Sequence, residues 1–461
     1  MEEKRGLFSD QKAWAWILPI AAAVFYIPFI GGVHLFDWDE INFAEISREM
    51  IRTNDYLTVQ VNYKPFFEKP PLFMWMQVVC MKVFGINEFA ARLPNAIAGI
   101  ITVMLLYRLG RHWMNHRFGV LWALSYMGSI LPTLYHKSGI IDPWFNLFIF
   151  AGIASWYEGS QSKWSASKWY WLSGLMSGLA IMTKGPVGPL LIGFTILLIR
   201  IFSRNSRYLR FPSILIFILG NAVVAGIWFG LNWLNNGPEF ITAFLQYQYE
   251  LLTQSVAGHK GFPGYHFVVT LFGVFPASIF ALGGLRKKQE GELQHHFELR
   301  VLMILLTGIV LILFSAVQSK IVHYSSMTYF PISFLSAWFL SYILDDKVKW
   351  TAWHGSILIV ITTLIFITIW VVPWIGMHTQ DLKAYFSLDT FTRIALETPV
   401  KWDLWDYSPF MILLIILTLA VFFWRNEKYR RSWITIFIGM PLFVNIALIF
   451  FIGKIETYTQ G

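Results

Sequence analysis

Long apolar runs separated by short polar breaks repeat along nearly the whole chain, and runs of about 17–25 residues are long enough to cross a bilayer as α-helices. The pattern predicts thirteen such helices, near 13–35, 93–110, 118–136, 141–157, 169–183, 185–202, 211–233, 265–285, 299–317, 324–344, 350–376, 408–424 and 432–453. The run PPLFMWMQVVCMKVFGI at 70–86 stands at the short limit and carries Lys82. After the first run, Phe43, Ile46, Met50 and Ile51 recur at helical spacing, with Glu45, Arg48, Glu49 and Arg52 between them. That spacing predicts an amphipathic helix lying in the membrane interface. The chain reads as an all-α polytopic membrane protein, one membrane domain over 1–461, with no internal repeat and no Gly/Ser linker to divide it.

Loop charge assigns the sides. RLGRHWMNHR, SQSKWSASK, RNSRYLR, LRKKQ, DDKVK and RNEKYRR are the basic short loops. All six share the cytoplasmic side with the N-terminus when 70–86 does not cross, so that run is expected to be an interfacial or re-entrant helix. The long loops 36–92, 234–264 and 377–407 then fall on the opposite face, and long loops in compact folds are usually functional. Composition agrees with a membrane chain, at 56% hydrophobic, 14% charged and 22 Trp. The net charge of +9 fits the positive-inside bias, and no basic soluble segment is large enough to read nucleic acid. Cys80 is the only cysteine, which excludes an intrachain disulfide. MEEKRGLFSDQKAW leads into the first run without a clear cleavage site after it, as a retained signal anchor does.

The polar residues at the non-cytoplasmic boundary are the candidates for chemistry. In FDWDEINFAEISREM, Asp37, Asp39 and Glu40 crowd the exit of the first span. One such Asp is accounted for as a helix N-cap. An ionised carboxylate there also serves as a general base or holds a cation. In YKPFFEKPPLFMW, the Pro pair fixes the backbone that carries Glu68 and Lys69, which reads either as a surface ion pair or as a cation presented to a lipid phosphate. Asp142 opens a span in YHKSGIIDPWF, with Pro143 behind it as in a plain helix start. His136, Lys137, Lys184 and Arg92 lie at the same level, where basic side chains usually snorkel. SVAGHKGFPGYHF presents His259, Lys260 and His266, and SAVQSKIVHYSSMTYFP places Lys320, His323 and Tyr324 between two spans. Charges gathered at one bilayer boundary point to a polar substrate there.

Through WDEINFAEISREM, EKPPLFMW, ARLP, SGIIDPWF, TKGP and SKIVHY the chain resembles the GT-C superfamily of polyprenyl-phosphate-dependent glycosyltransferases, and within it the aminoarabinose (lipid A) and protein-mannosyl transferase family. The resemblance covers roughly residues 13–453 and implies an inverting transferase of the bacterial inner membrane, with its active site facing the periplasm. It implies catalytic roles for Asp39, Glu40 and Asp142, and donor-phosphate binding by Lys69, Lys260, Tyr324 and Lys320. It implies one divalent metal ion at Glu68 and His259. The expected partners are a polyprenyl-phosphate-linked sugar, a lipid or protein acceptor and membrane lipids. SKIVHY departs from the family's SK-L-P element by lacking the proline, and the family's soluble C-terminal domain is absent from this sequence. A protein O-glycosyltransferase and a polyprenyl-lipid flippase are the alternative readings. Charge concentrated in boundary loops, rather than on broken helices at the midplane, separates the second from an enzyme.

Overall fold

The structure, a computed structural model, describes residues 10–36, 38–162, 164–203, 205–253, 261–379 and 390–460. Helix α1 (Gln11–Tyr26) is capped by Asp10, whose carboxylate accepts from the Lys12 and Ala13 amides at 3.0 Å. Helix α2 (Asp39–Thr53) is amphipathic as expected, burying Phe43, Ile46 and Met50 and ending at Asn54 in the left-handed conformation. It packs on α3 (Leu72–Phe84), with Phe43 edge-on to Phe73 at 6.0 Å. At 13 residues, α3 spans only about 20 Å, well short of a ~30 Å hydrocarbon core, which agrees with a run that does not cross. Between α2 and α3 the strands β1 (Gln60–Val61) and β2 (Lys64–Pro65) pair antiparallel. They are joined through Asn62 and Tyr63, both at positive φ as a tight two-residue hairpin turn requires.

The bundle continues with α4 (Glu88–Trp113), α5 (His116–Met127), α6 (Ile130–Tyr135), α7 (Asp142–Gln161), α8 (Ala166–Lys184), α9 (Val187–Ser203), α10 (Phe211–Asn236) and α11 (Glu239–Thr253). Then follow α12 (Tyr265–Gly273), α13 (Ala277–Gly283), α14 (Gln294–Ala316), a 3₁₀ segment Val322–Thr328, α15 (Tyr329–Leu344) and α16 (Ala352–Met377). After the short helix α17 (Thr390–Ala395), α18 (Ser408–Arg425), α19 (Tyr429–Ala447) and α20 (Gly453–Gln460) complete the described chain. The span that includes α15 is 89% buried and lies at the centre, whereas α10 and α16 are only 17% buried and form the apolar periphery. Helices α8 and α10 cross closely because glycines face each other. A Cβ on Gly220 would stand 2.7 Å from the Trp171 carbonyl, and one on Gly174 would overlap that of Phe217.

Among the described residues, seven helices are long and apolar enough to cross a membrane, or eight if α12 and α13, bent by 107°, form one broken span. That is fewer than the thirteen expected from the pattern. The run at 118–136 breaks at Gly128 into α5 and α6, and α1 stops at Tyr26. Helices α7 and α8 are long enough, but they carry Asn146, Ser155, Ser173 and Ser177 buried against other helices rather than exposed to lipid. Protein-lined helices tolerate polar residues that lipid-lined ones do not, which lowers their apolarity below that of a free-standing span.

Candidate active site

Four chain elements converge on one cluster of charge. Asp39 is the first residue of α2 and Asp142 the first of α7, so both carboxylates sit where the helix dipole favours negative charge. Lys184 is the last residue of α8, where the dipole favours a cation. Its ammonium donates to Asp142 Oδ1 at 2.6 Å and lies 5.0 Å from the Tyr324 ring centroid. His323 Nε2, from the 3₁₀ segment, stands 3.7 Å from Asp39 Oδ2 and 3.8 Å from Asp142 Oδ2. The two carboxylates differ in access: the Asp39 side chain is 37% exposed and that of Asp142 only 3%.

Lys69 completes the cluster from the stretch before Pro70 and Pro71. Its side chain is 11% exposed, its ammonium is 3.8 Å from Glu68 and 4.8 Å from the ring of Tyr247 on α11. Burial pushes the Lys69 ammonium below its ordinary range, and Lys184 adds to that. Asp39, Glu68 and Asp142 oppose it, Asp39 most strongly. The Tyr247 hydroxyl is raised chiefly by burial, then by Glu68, to which it donates a hydrogen bond.

Several expected site residues have other work. Glu40 is 1% exposed and paired with Arg92, whose Nε and Nη2 donate to it at 3.0 and 2.7 Å. It also accepts from the Phe36 amide at 2.6 Å and from the Gly139 amide. Arg92 donates in addition to the carbonyls of Ile30, Val33 and His34. Through these contacts Glu40 fastens the start of α2 to the loop that leads into Asp142. Lys320 donates to the carbonyls of Phe314, Ser315 and Val317, closing the C-terminal end of α14. Arg92 and Lys137 do not snorkel. Lys137 is buried, donating to Phe25 and Pro28 carbonyls, and burial with Arg92 nearby pushes it down to about 7.

Asp37, His259 and Lys260 lie outside the described residues. Of the two expected metal ligands, only Glu68 is described, and it is already engaged by Lys69 and Tyr247. Among the described residues there is no group of three or more His, Cys, Asp or Glu side chains that could hold a metal ion. Lys184, His323 and Tyr247 were not assigned to the site from sequence. TKGP, a lysine closing a helix before Gly-Pro, was the available signal for Lys184, while nothing in LQYQYE marks Tyr247.

Residues 68–233 match the family model described as dolichyl-phosphate-mannose-protein mannosyltransferase. The undecaprenyl phosphate-alpha-4-amino-4-deoxy-L-arabinose arabinosyl transferase of Edwardsiella ictaluri is 24% identical over 450 residues, 95% of this chain and 77% of that protein. The protein of the same name from Serratia proteamaculans is 26% identical over 336 residues, 70% of this chain and 59% of its own length. Among solved structures, ArnT from Cupriavidus metallidurans bound to undecaprenyl phosphate superposes with a TM-score of 0.76 at 22% identity, over 97% of this chain and 78% of that one. In its helical fold, and over residues 68–233 in its sequence, this chain is thus similar to these glycosyltransferases.

Proposed function

We propose that the chain moves a sugar from an undecaprenyl-phosphate-type donor to a lipid A-like glycolipid, with inversion at C1, on the periplasmic face of the bacterial inner membrane. The single observation that supports this reading is the cluster of Asp39, Asp142, Lys184 and His323 where α2, α7, α8 and the 3₁₀ segment meet. Breaking the donor C1–O bond leaves the electron pair on a lipid-phosphate oxygen. A fixed ammonium aimed at that developing charge stabilises the transition state more than the ground state. Lys69 is assigned that role, and undecaprenyl phosphate is named for the relatives and for the solved structure to which this chain is similar.

The acceptor attacks C1 from the opposite side. Asp39 is the exposed carboxylate and can meet an incoming acceptor; Asp142 is buried and held by Lys184, so its part is to fix Lys184 and face His323. The test is reconstitution with a panel of polyprenyl-phosphate sugars and lipid products read by mass spectrometry. Sugar transfer that K69M and D39N each reduce by at least a hundredfold is the expected result. Modified protein instead of lipid would favour a protein O-glycosyltransferase. Lipid movement without sugar transfer would refute the transferase reading in favour of a flippase.

A further inference from the structure

The turn between α18 and α19 carries Arg425, Lys428, Arg430 and Arg431 against one carboxylate, Glu427. Helix α15 leads away from the 3₁₀ segment that holds His323, and its 16 residues span about 24 Å. Beyond its far end, Trp350 packs with Trp424 and Trp433, so the turn lies at the end of the bundle opposite the charged cluster. All four cations are exposed, and none forms an ion pair with a described residue. Cations in other loops of that side are neutralised, Arg117 by Asp345, Arg207 by Glu298 and Arg300 by Glu292. Arg430 and Arg431 stand in the first turn of α19, where the helix dipole adds to their charge and no acidic residue offsets it.

Behind the turn, aromatic side chains form a box. The Trp433 ring lies 4.6 Å from Phe280, 5.9 Å from Trp350 and 5.2 Å from Trp424, and Trp350 lies 5.2 Å from His354. Two buried polar atoms of this box, Trp433 Nε1 and His354 Nε2, have no hydrogen-bond partner among the described residues. A buried donor left unpaired is costly, so an acceptor from outside the chain is its natural complement. Exposed Trp353, stacked on His354 at 3.7 Å, and exposed Tyr429, edge-on to Trp424 at 4.6 Å, form the rim. Exposed apolar side chains follow within two turns, Phe422 on α18 and Ile359 and Val360 on α16.

We propose that this corner binds an anionic phospholipid of the leaflet at that end, with Arg430 and Arg431 meeting its phosphate and its acyl chains lying along α16 and α18. Trp353 and Tyr429 stand at the level of its glycerol, where amphipathic rings gather in membranes. Bound there, the lipid ties α18 and α19 to α13, α15 and α16. Basic pockets between spans at the cytoplasmic boundary suit anionic headgroups. An acidic protein or a nucleic acid would meet the cations too, but only an amphiphile also uses the apolar face that continues from them. The site is separate from the charged cluster and stands whether or not the transferase reading holds.

The full chain in phosphatidylcholine nanodiscs, with phosphatidylglycerol added and retained lipid counted by native mass spectrometry, supplies the test. The wild type should retain phosphatidylglycerol in preference to phosphatidylcholine. R430Q/R431Q should weaken that preference about twenty-fivefold, about fivefold for each cation removed. K168Q/R210Q removes the same charge from exposed positions in two other basic loops and should change it by less than about twofold. Equal loss in the two variants, or equal retention of the two lipids by the wild type, overturns the proposal. A second readout needs no change at the cations. In ¹⁵N-tryptophan spectra the Trp433 indole resonance, assigned through W433F, should move when phosphatidylglycerol replaces phosphatidylcholine and stay in place with inorganic phosphate alone. A resonance unmoved by the lipid, or moved equally by free phosphate, overturns the lipid site.

Discussion

Replacing Glu40 by Gln separates a structural tie from a catalytic carboxylate. The substitution keeps the shape and removes the charge facing Arg92, which is 1% exposed and receives no compensation from water. Breaking one side of a buried ion pair costs about 3–5 kcal/mol, most of it from the charge left behind. Here the loss falls at the lower end, about 3 kcal/mol, because Arg92 keeps its hydrogen bonds to the carbonyls of Ile30, Val33 and His34 and the amide oxygen of Gln still accepts one. At the globular average of about 2.1 cal/mol/K of unfolding entropy per residue, this amounts to roughly 3 °C in the melting temperature of the whole chain. The tie spans from Phe36 to Gly139, so its loosening also lets Asp39 and Asp142 move relative to each other. The assay is thermal unfolding in detergent by tryptophan fluorescence, run beside single-turnover transfer. E40Q should lose stability and lower activity only partially, with an unchanged pH profile. The apolar pair E40L/R92M should recover part of the stability lost in E40Q, because no charge is left buried. Full stability in E40Q with activity as low as in D39N would refute the structural assignment and return Glu40 to the chemistry.

Other outcomes follow from the same geometry. The lowered Lys69 folded value means that the unfolded chain binds more protons between that value and the ordinary ~10.4, so this group's contribution to stability rises with pH through that window. The same deprotonation removes the charge that meets phosphate. Undecaprenyl-phosphate affinity, measured by calorimetry, should therefore fall on the alkaline side below about pH 10, and K69R should not show that fall. K184M leaves Asp142 buried without its cation and should cost about 3 kcal/mol in thermal unfolding, with K184M/D142N recovering a good part of it. G220V forces α8 and α10 apart at the Trp171 carbonyl and should destabilise by about 1–3 kcal/mol, while activity at low temperature persists, because the crossing lies away from the charged cluster.

Periodicity alone was enough for the helical class, the amphipathic α2 and the short α3, since each follows from the spacing of apolar side chains within one segment. Asp39, Lys69 and Asp142 were legible too, because helix starts and a Pro pair mark them locally. The number of strongly apolar spans was not, since a helix buried in protein and one buried in lipid draw on different residues, and sequence alone does not say which surrounds it. Nor were the partners of the charges. Glu40 and Arg92 are 52 residues apart and look like independent boundary charges until the fold buries them against each other. Lys184 and His323 reach Asp142 from α8 and from the segment before α15. Composition and local pattern determined that this chain crosses a membrane several times. Only tertiary packing decided which of the chain's charges neutralise one another inside the protein and which, like Asp39, stay open to a reactant, because desolvation and pairing depend on neighbours distant along the chain.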